Sequence, residues 1–432
     1  MATITNGRWW LIFAVVTAAI FRLTLVSILP YDSGPDERRR YDVMEKIYTT
    51  GRAPRYGIEG GSQYVVKPIF AYRISAWLSH AVPGNWPLFR KMRIGSVAVS
   101  LITIVLAYLA IRNLWPKRPE LANVLAVVLA FYPQYAFLGA YLNADAYTVF
   151  VNTLVFYLLT LLHRRIAVTS GLAVGLGLTL GLIFLGRENG YAGFIMVLGY
   201  GIFLLRHAWR ATIRAAALAL AVFLLFPTVF YLHQYVVYGK AFIPVIVGSG
   251  VSWVPPGVTL SQAYEVVPVE WLDYGVNHLN WFSLVDWSGF FALLLVSSFA
   301  LFGYMVVGLP SWWYSWYLLI LVGGVIGLLR LLRCRQPSAS PDAASRRWLI
   351  GSAAVAAAAL FLVVVRHNFV VLFQPQGRYL FPLLVPVGAL LLLGWDSLPF
   401  DRFVRRYLLM FVTGFFVAAG VATLSMLVFF YV

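Results

Sequence analysis

The chain of 432 residues is poor in charge and has a single cysteine. Charged residues make up 11% of it, against roughly 25% in ordinary globular proteins. Because Cys334 is the only cysteine, no intrachain disulfide can form. Apolar residues make up 61%, more than a soluble fold can bury, so we expect the solvent of most of this surface to be lipid.

Acidic residues are scarcer than basic ones, with 16 Asp and Glu against 33 Lys and Arg. The net charge of +17 does not indicate nucleic-acid binding, because the basic residues are dispersed between apolar stretches rather than gathered in one patch. A membrane orientation with basic loops in the cytoplasm explains part of the excess. Walker A and dinucleotide-binding motifs are missing, which disfavours a nucleotide-sugar substrate.

Long apolar runs predict an all-α polytopic membrane protein that forms a single integral membrane domain over residues 1–432. About 20 apolar residues are needed to cross a bilayer as a helix. The sequence predicts about 11 transmembrane helices, near residues 9–30, 94–112, 121–140, 145–162, 168–186, 190–206, 212–236, 312–332, 348–365, 379–395 and 407–431.

Arginine and lysine mark every second loop of this topology. The basic loops are 112–118, 164–165, 206–214, 330–347 and 402–406. They share one side if the N-terminus is cytoplasmic, as the positive-inside rule requires. Two larger outer regions follow, the first loop at 31–92 and a second region at 237–311. Of the 16 acidic residues, 12 fall on this outer side, so carboxylate chemistry is expected there.

Residues 289–309 are apolar and long enough to span. If they did, the arginine-rich loop 330–347 would move to the outer side. Parity therefore favours an interfacial or re-entrant segment, which is tolerated where the backbone is buried in protein or lines a cavity. The alternative is a twelfth span with one of the other spans misplaced.

An acidic pair opens the first helix of the first outer loop. Asp36 and Glu37 follow the Gly34-Pro35 turn and precede a helical stretch that Gly51 ends. One interpretation is helix capping, because acidic groups satisfy the free N–H groups of a first turn. The other is a general base, or a metal-binding carboxylate, at the bilayer–water boundary.

A second motif, KPIFAY, begins at Lys67. Pro68 fixes the turn, and residues 69–80 read as an amphipathic helix lying in the membrane interface. Lys67 is interpreted either as a lysine that extends towards lipid headgroups or as a phosphate ligand.

The membrane span, the Pro-Asp-Glu loop, and the Lys-Pro-Ile-x-x-Tyr motif that ends at Tyr72 together resemble the GT-C superfamily. These are membrane glycosyltransferases that use polyprenyl-phosphate sugar donors, and the second motif resembles their lipid A aminoarabinose transferases. The resemblance implies an extracytoplasmic active site in a bacterial inner (plasma) membrane. It also implies a catalytic acid pair at Asp36 and Glu37, with Lys67 on the donor phosphate and Tyr72 in the pocket.

Two further patches fit this resemblance in position. Asn143 and Asp145 precede the fourth span, and the family often has an Asn-x-Asp motif there, although Asp145 could instead cap the helix. Arg187 and Glu188 occupy a short outer turn, where they could simply pair with each other. The functional interpretation places Arg187 on phosphate, and Asp145 and Glu188 in the substrate pocket.

The last patch is the QPQGRY stretch before the tenth span. The resemblance implies that Arg378 binds the donor phosphate, for which its planar guanidinium is suited, although interfacial arginines are common. Gln376 and Tyr379 are its expected pocket neighbours. His367, beside Arg366, is a further candidate for the pocket.

No cofactor is expected, because the basic residues could neutralise the donor phosphate without a metal. The alternative is Mg²⁺ or Mn²⁺ held by oxygen ligands from the site carboxylates, namely Asp36, Glu37, Asp145 and Glu188. The six histidines show no zinc-binding spacing.

The predicted function is an inverting glycosyltransferase that moves a hexosyl or pentosyl group from a polyprenyl-phosphate-linked sugar to an outward acceptor, which is a glycan, a lipid or a protein. Inversion is implied by the resemblance. Two other classes stay open at this point: a transporter or flippase, and a polysaccharide polymerase or ligase of another fold. Transporters usually show repeats, broken helices and charges near the midplane, which this sequence does not display.

Overall fold

A computed structural model describes residues 7–54, 69–165, 168–238, 284–333, 341–370 and 374–432. Its helices are α1 (Gly7–Ile28), α2 (Glu37–Thr50), α3 (Ile69–His80), α4 (Leu88–Leu114), α5 (Pro119–Phe131), α6 (Pro133–Leu138), α7 (Asp145–Arg165), α8 (Ser170–Phe184), α9 (Ala192–Tyr238), α10 (Leu284–Phe299), α11 (Ser311–Arg333), α12 (Pro341–Val370), α13 (Leu384–Ser397) and α14 (Arg402–Tyr431). Two 3-10 turns, Glu188–Tyr191 and Gly377–Leu383, and two short strands, β1 (Leu301–Phe302) and β2 (Val307–Gly308), complete these elements.

The predicted all-α polytopic architecture is confirmed, and each of the predicted spans overlaps a helix. Within the described residues, eight helices have the length and composition to cross a membrane, and three shorter apolar helices are α5, α8 and the Trp287–Phe299 part of α10. The predicted spans 190–206 and 212–236 both belong to α9, which is interrupted by non-helical dihedral angles at Ala208.

The predicted span 121–140 is divided at Tyr132, where α5 ends and α6 begins. Pro133 causes this break because it has no N–H for the carbonyl of Leu129. Arg22 of α1, which is fully buried, donates hydrogen bonds to the carbonyl oxygens of Leu129 (3.2 Å) and Ala130 (3.1 Å). A cation thus caps the C-terminal end of α5, where free carbonyls and the helix dipole favour positive charge.

Side-chain contacts bring the predicted basic loops together at one end of the bundle, called here the basic end. Arg118 binds the Asp396 carboxylate in a bidentate pair at 2.8 and 2.5 Å. Arg346 approaches the Leu114 carbonyl (3.5 Å), and Arg330 donates to the Ser397 carbonyl (3.0 Å). The opposite end, where α4 and α7 begin, is called the site end; the 27 residues of α4 separate the two ends by about 40 Å.

Residues 289–309 do not form one continuous helix. Helix α10 ends at Phe299, and β1 and β2 then form an antiparallel hairpin whose turn has positive φ at Gly303 (62°) and Met305 (64°). The Leu301 N–H donates to Gln134 Oε1 (3.2 Å), and the Tyr304 hydroxyl donates to Asp32 Oδ1 (2.9 Å). The hairpin therefore lies at the site end.

The two helices predicted in the first outer loop have the expected bounds. Helix α2 ends where Gly51 adopts φ of 69°, a left-handed conformation that glycine tolerates without steric cost. Helix α3 covers residues 69–80 and packs on α2 and α4, with Trp77 73% exposed on its outer face. Both helices thus lie over the site end of α4.

Candidate active site

Glu37 and Arg93 form a fully buried ion pair at the site end. The Arg93 Nε atom lies 2.8 Å from Glu37 Oε1, and its terminal nitrogen lies 2.9 Å from Oε2, with both side chains 0% exposed. The same carboxylate accepts hydrogen bonds from the backbone N–H groups of Ser33 (3.1 Å) and Leu142 (3.1 Å). Glu37 therefore ties the start of α2 to α4 and to the loop before α7.

Arg93 also closes the end of the first membrane helix. It donates to the carbonyl oxygens of Leu29 and Pro30, both at 2.7 Å. Carbonyls at a helix C-terminus have no intrahelical partner, and a buried one needs a substitute donor. Arg93 was not among the residues predicted for the site, although it lies at the start of a predicted span on the predicted catalytic side.

Asp36 has a different environment from its neighbour. It occupies the N-cap position of α2 with φ of 62°, but its side chain makes no capping hydrogen bond. Instead Oδ2 lies 3.1 Å from a terminal nitrogen of Arg40, one helical turn later, and the side chain is 34% exposed. Left-handed backbone at a non-glycine residue costs about 1–3 kcal/mol and is concentrated at functional sites. The structure therefore does not support the capping interpretation of Asp36.

Arg40 connects Asp36 to the second acidic patch. Its buried guanidinium donates to the carbonyl oxygens of Pro35 (3.1 Å) and Leu142 (3.3 Å). The Leu142 N–H donates to Glu37, and the Leu142 carbonyl accepts from Arg40. The loop before α7 is therefore fixed against the start of α2. The ERRR run places Arg40 four residues after Asp36, which is the spacing of facing residues on a helix.

Asp145 bridges two arginines. Its Oδ1 atom forms a short ion pair with Arg187, and its Oδ2 atom lies 3.7 Å from a terminal nitrogen of Arg378. The capping role considered for Asp145 belongs to Asn143, whose Oδ1 accepts from the Ala146 N–H at 2.9 Å. Because its partner is Asp145, Arg187 does not form the simple pair with Glu188 that the sequence left open.

Arg378 is more enclosed than Arg187, the other described cation of the predicted phosphate set. It is 5% exposed, donates to the Tyr141 hydroxyl at 2.8 Å, and has a buried Nε with no hydrogen-bond partner among the described residues. The guanidinium carbons of Arg378 and Arg187 each lie 5.6 Å from the centroid of the Tyr379 ring. An anion that reached Arg378 would satisfy the unpaired N–H, which burial otherwise makes costly.

Tyr141 holds Arg378 from the side of the Asp36 loop. A Cβ atom on Gly34 would lie 2.5 Å from the Tyr141 ring, so the loop approaches this ring as only glycine allows. Burial raises the pKa of Tyr141 above its ordinary value, although Arg378 and Arg40 lower it, and the phenol stays protonated at neutral pH. Tyr141 was not singled out from the sequence, although it lies inside the patch that carries Asn143 and Asp145.

A cleft of about 280 Å³ opens beside Arg378. Its wall combines the predicted pocket residue Gln376 with residues of α6, α10 and the hairpin that sequence reasoning did not select. The lining residues are Pro35, Gln134, Phe137, Tyr141, Ser297, Leu301, Gly303, Met305, Gln376 and Arg378. The turn Gly377–Leu383 is held there because the Gly377 N–H donates to the Ser297 hydroxyl at 2.8 Å.

The remaining predicted residues lie at the margin of this site. Tyr72 is buried on α3, where its phenol interacts electrostatically with Arg40. Glu188 is exposed at the start of a 3-10 turn, and its charge acts on the half-buried His367. Lys67 lies outside the described residues, so its role as a phosphate ligand stays a prediction.

The site carboxylates are already engaged by arginines. Glu37 is paired with Arg93, Asp145 with Arg187, and Asp36 with Arg40. Among the residues that the structure describes, no group of three His, Cys, Asp or Glu side chains is placed to hold a metal ion. The absence of a metal cofactor stays a prediction, with Mg²⁺ or Mn²⁺ on Asp36, Glu37, Asp145 and Glu188 as its alternative.

The site as a whole attracts anions. Three arginines face two carboxylates here, so the group carries one formal positive charge beside the cleft. The arginines are Arg40, Arg187 and Arg378, and the carboxylates are Asp36 and Asp145. Guanidinium groups at the edge of a low-dielectric membrane interior bind phosphate oxygens strongly. A partly exposed carboxylate close to several guanidinium groups is an arrangement suited to base-assisted displacement of a phosphate.

Comparison with known proteins finds a curated relative and several similar solved structures, of which two are described below. No family model matches the chain. It is 29% identical over 197 residues to the undecaprenyl phosphate-α-4-amino-4-deoxy-L-arabinose arabinosyl transferase of Pseudomonas paraeruginosa, a match that covers 44% of this chain and 34% of that protein. The chain thus matches about a third of the length of this curated relative.

The two solved structures extend the likeness to nearly the whole chain. ArnT from Cupriavidus metallidurans in the apo state has a TM-score of 0.59 at 14% identity, over 98% of this chain and 77% of that one. The oligosaccharyltransferase of Archaeoglobus fulgidus has a TM-score of 0.56 at 16% identity, over 95% of this chain and 53% of that one. The resemblance that the sequence motifs indicate is therefore confirmed at the level of architecture: this chain has the fold of these two solved structures.

Proposed function

We propose that this protein is a glycosyltransferase that moves one hexosyl or pentosyl unit from a polyprenyl-phosphate carrier to an acceptor. The proposal depends on one observation: Asp36 and Arg378 belong to the same cluster of charged side chains. Asp36 is the most exposed of the three site carboxylates, and Arg378 is buried with an Nε that has no hydrogen-bond partner among the described residues. The Pseudomonas relative acts, by its name, on a sugar linked to undecaprenyl phosphate, which supports a lipid-linked donor here.

In the proposed reaction, Asp36 accepts the proton of an acceptor hydroxyl, whose oxygen then forms a bond to the anomeric carbon. The bond between that carbon and the phosphate oxygen breaks, and its electron pair stays on the phosphate. Arg378 and Arg187 stabilise the charge that develops there, and Lys67 is proposed to join them. A single displacement of this kind inverts the anomeric centre.

Glu37 takes a positioning role in this proposal. Its oxygens accept two hydrogen bonds from Arg93 and two from backbone N–H groups, and the side chain is 0% exposed. A carboxylate so engaged is a poor proton acceptor, whereas Asp36 Oδ1 accepts no hydrogen bond from the described residues. Asp36 alone is therefore the proposed base.

The proposed setting follows from the charge at the two ends. The chain is an integral membrane protein, and the basic end is proposed to face the cytoplasm of a bacterial inner (plasma) membrane. The site end then faces the extracytoplasmic side, where a glycan, lipid or protein acceptor is available. The acidic and basic groups of the site gather at this end rather than at mid-membrane, which fits a surface reaction better than transport.

The test is transfer of a radiolabelled sugar from its polyprenyl-phosphate carrier into acceptors of a bacterial envelope fraction, with the purified protein in detergent. Asp36→Asn should lower turnover by about 10²–10⁴-fold, the contribution of a general base. Asp42→Asn, an exposed position on the same helix, is the matched control and should retain wild-type turnover. Full activity of Asp36→Asn would remove this residue from the mechanism. Substrate flux in vesicles without covalent transfer would indicate a transporter instead.

A further inference from the structure

The cleft beside Arg378 has the chemistry of a sugar site. Gln134, Gln376 and Ser297 place two amides and a hydroxyl on its wall, while Phe137 and Met305 supply apolar surface. Among the described residues, no partner bonds to the Gln376 amide or to Gln134 Nε2, since the recorded bond of Gln134 uses only Oε1. Unengaged amides on a partly apolar wall suit a ligand with several hydroxyl groups.

The position of the cleft selects one part of the substrate. Arg378, the proposed phosphate ligand, lines the cleft at one side, and Pro35, the residue before the proposed base, lines it at another. A sugar bonded to a phosphate on Arg378 would extend into this space.

The β1–β2 hairpin forms one wall of the cleft and is fixed at two points. Tyr304 bonds to Asp32 (2.9 Å) and the Leu301 N–H bonds to Gln134 (3.2 Å), which presents Met305 to the cleft. Met305 adopts φ of 64°, a conformation that is uncommon for a residue with a long side chain. The hairpin thus holds a methionine against the cleft at a position where its backbone would favour glycine.

We infer that this cleft binds the sugar of the donor, that Gln376 reads its hydroxyl groups, and that Met305 limits the size of its substituents. This inference rests on the proposed function, because it takes Arg378 as the ligand of the donor phosphate. It adds Met305 and Gln134 to the specificity-determining residues, and it assigns Gln376 to the transferred sugar rather than to the acceptor.

The experiment measures binding of soluble donor analogues to the full-length protein in detergent. The probes are farnesyl phosphate without sugar, and farnesyl phosphate that carries a pentose, a hexose or an N-acetylhexosamine. The ratio of each affinity to that of the sugar-free probe isolates the contribution of the sugar. Gln376→Leu should reduce this ratio about tenfold for the preferred sugar, the effect of one lost buried hydrogen bond.

Met305→Gly should raise binding of the N-acetylhexosamine probe at least fivefold relative to the pentose probe, and glycine suits the backbone at this position. Val306→Ala, at a neighbouring residue that is 75% exposed, is the control and should leave every ratio unchanged. If Gln376→Leu and Met305→Gly keep the wild-type ratios, or if the sugar adds nothing to binding, the inference is overturned while the donor-phosphate site stands. If the wild type binds no farnesyl phosphate at all, the proposed function fails and the inference fails with it.

Discussion

Substitution of Glu37 by glutamine separates a structural carboxylate from a catalytic one. The change keeps the shape of the side chain but removes the charge that faces Arg93, and both groups are 0% exposed. Removal of one partner of a buried ion pair typically costs 3–5 kcal/mol, because the other charge stays buried without compensation. We therefore expect Glu37→Gln to lower the free energy of unfolding by about 3–5 kcal/mol.

The size of the thermal shift follows from chain length. For 432 residues, an unfolding entropy of about 2.1 cal/mol/K per residue gives roughly 1 °C per kcal/mol. The measurement is size-exclusion chromatography after heating. The temperature at which half of the monodisperse peak is lost should fall by about 3–5 °C. Asp36→Asn is the matched comparison, and its partly exposed, one-turn ion pair should contribute about 1 kcal/mol or less.

A double-mutant cycle locates the cost in the pair itself. Arg93→Met alone should also destabilise strongly, because it leaves Glu37 buried and frees the carbonyls of Leu29 and Pro30. When both partners are replaced, the loss of unfolding free energy should be smaller than the sum of the losses in the two single variants, by at least about 2 kcal/mol. The reasoning is refuted if Glu37→Gln keeps wild-type stability and loses activity as fully as Asp36→Asn, since Glu37 would then act chemically.

Three further outcomes follow from the site. Gly34→Ala should reduce transfer about tenfold with little loss of folded protein, because the new Cβ would displace Tyr141 from Arg378; unchanged kinetics would contradict the 2.5 Å approach. Arg378→Lys should raise the KM for the donor about tenfold, because it removes the planar guanidinium that binds two phosphate oxygens. Arg187→Lys should raise this KM less, because the Arg187 side chain is 27% exposed. A larger increase for Arg187→Lys than for Arg378→Lys would make Arg187 the principal phosphate ligand. Treatment with EDTA should leave turnover unchanged, and a loss that Mg²⁺ or Mn²⁺ restores would bring back the metal alternative.

Much of the architecture could be predicted because its signals are local. Apolar runs of span length, the Gly51 stop signal and the Pro68 turn specify helices through neighbouring residues alone. The five motif patches were also visible, since each is contiguous, and the structure joins four of them around Asp36, Asp145, Arg187 and Arg378. The patch at Lys67 lies outside the described residues.

The partners of the charged groups could not be predicted in the same way. Arg93 pairs with Glu37 across 56 residues, and Arg378 with Tyr141 across 237, so neither contact leaves a pattern in the sequence. The same holds for capping, which the sequence offered to Asp145 and the structure gives to Asn143. The break at Tyr132 was missed, although Pro133 signalled it, because the apolar run continues through it.

The sequence by itself determined a helical membrane protein with a charged site at one end, because lipid requires apolar spans and a charged group is tolerated mainly where water or a partner meets it. Tertiary structure alone gives Asp36 and Glu37, which are adjacent in the chain, different environments. One is 34% exposed beside a cleft and the other is 0% exposed beneath Arg93. Burial depends on which distant elements pack over a residue, so two neighbouring carboxylates acquire different chemistry from one fold.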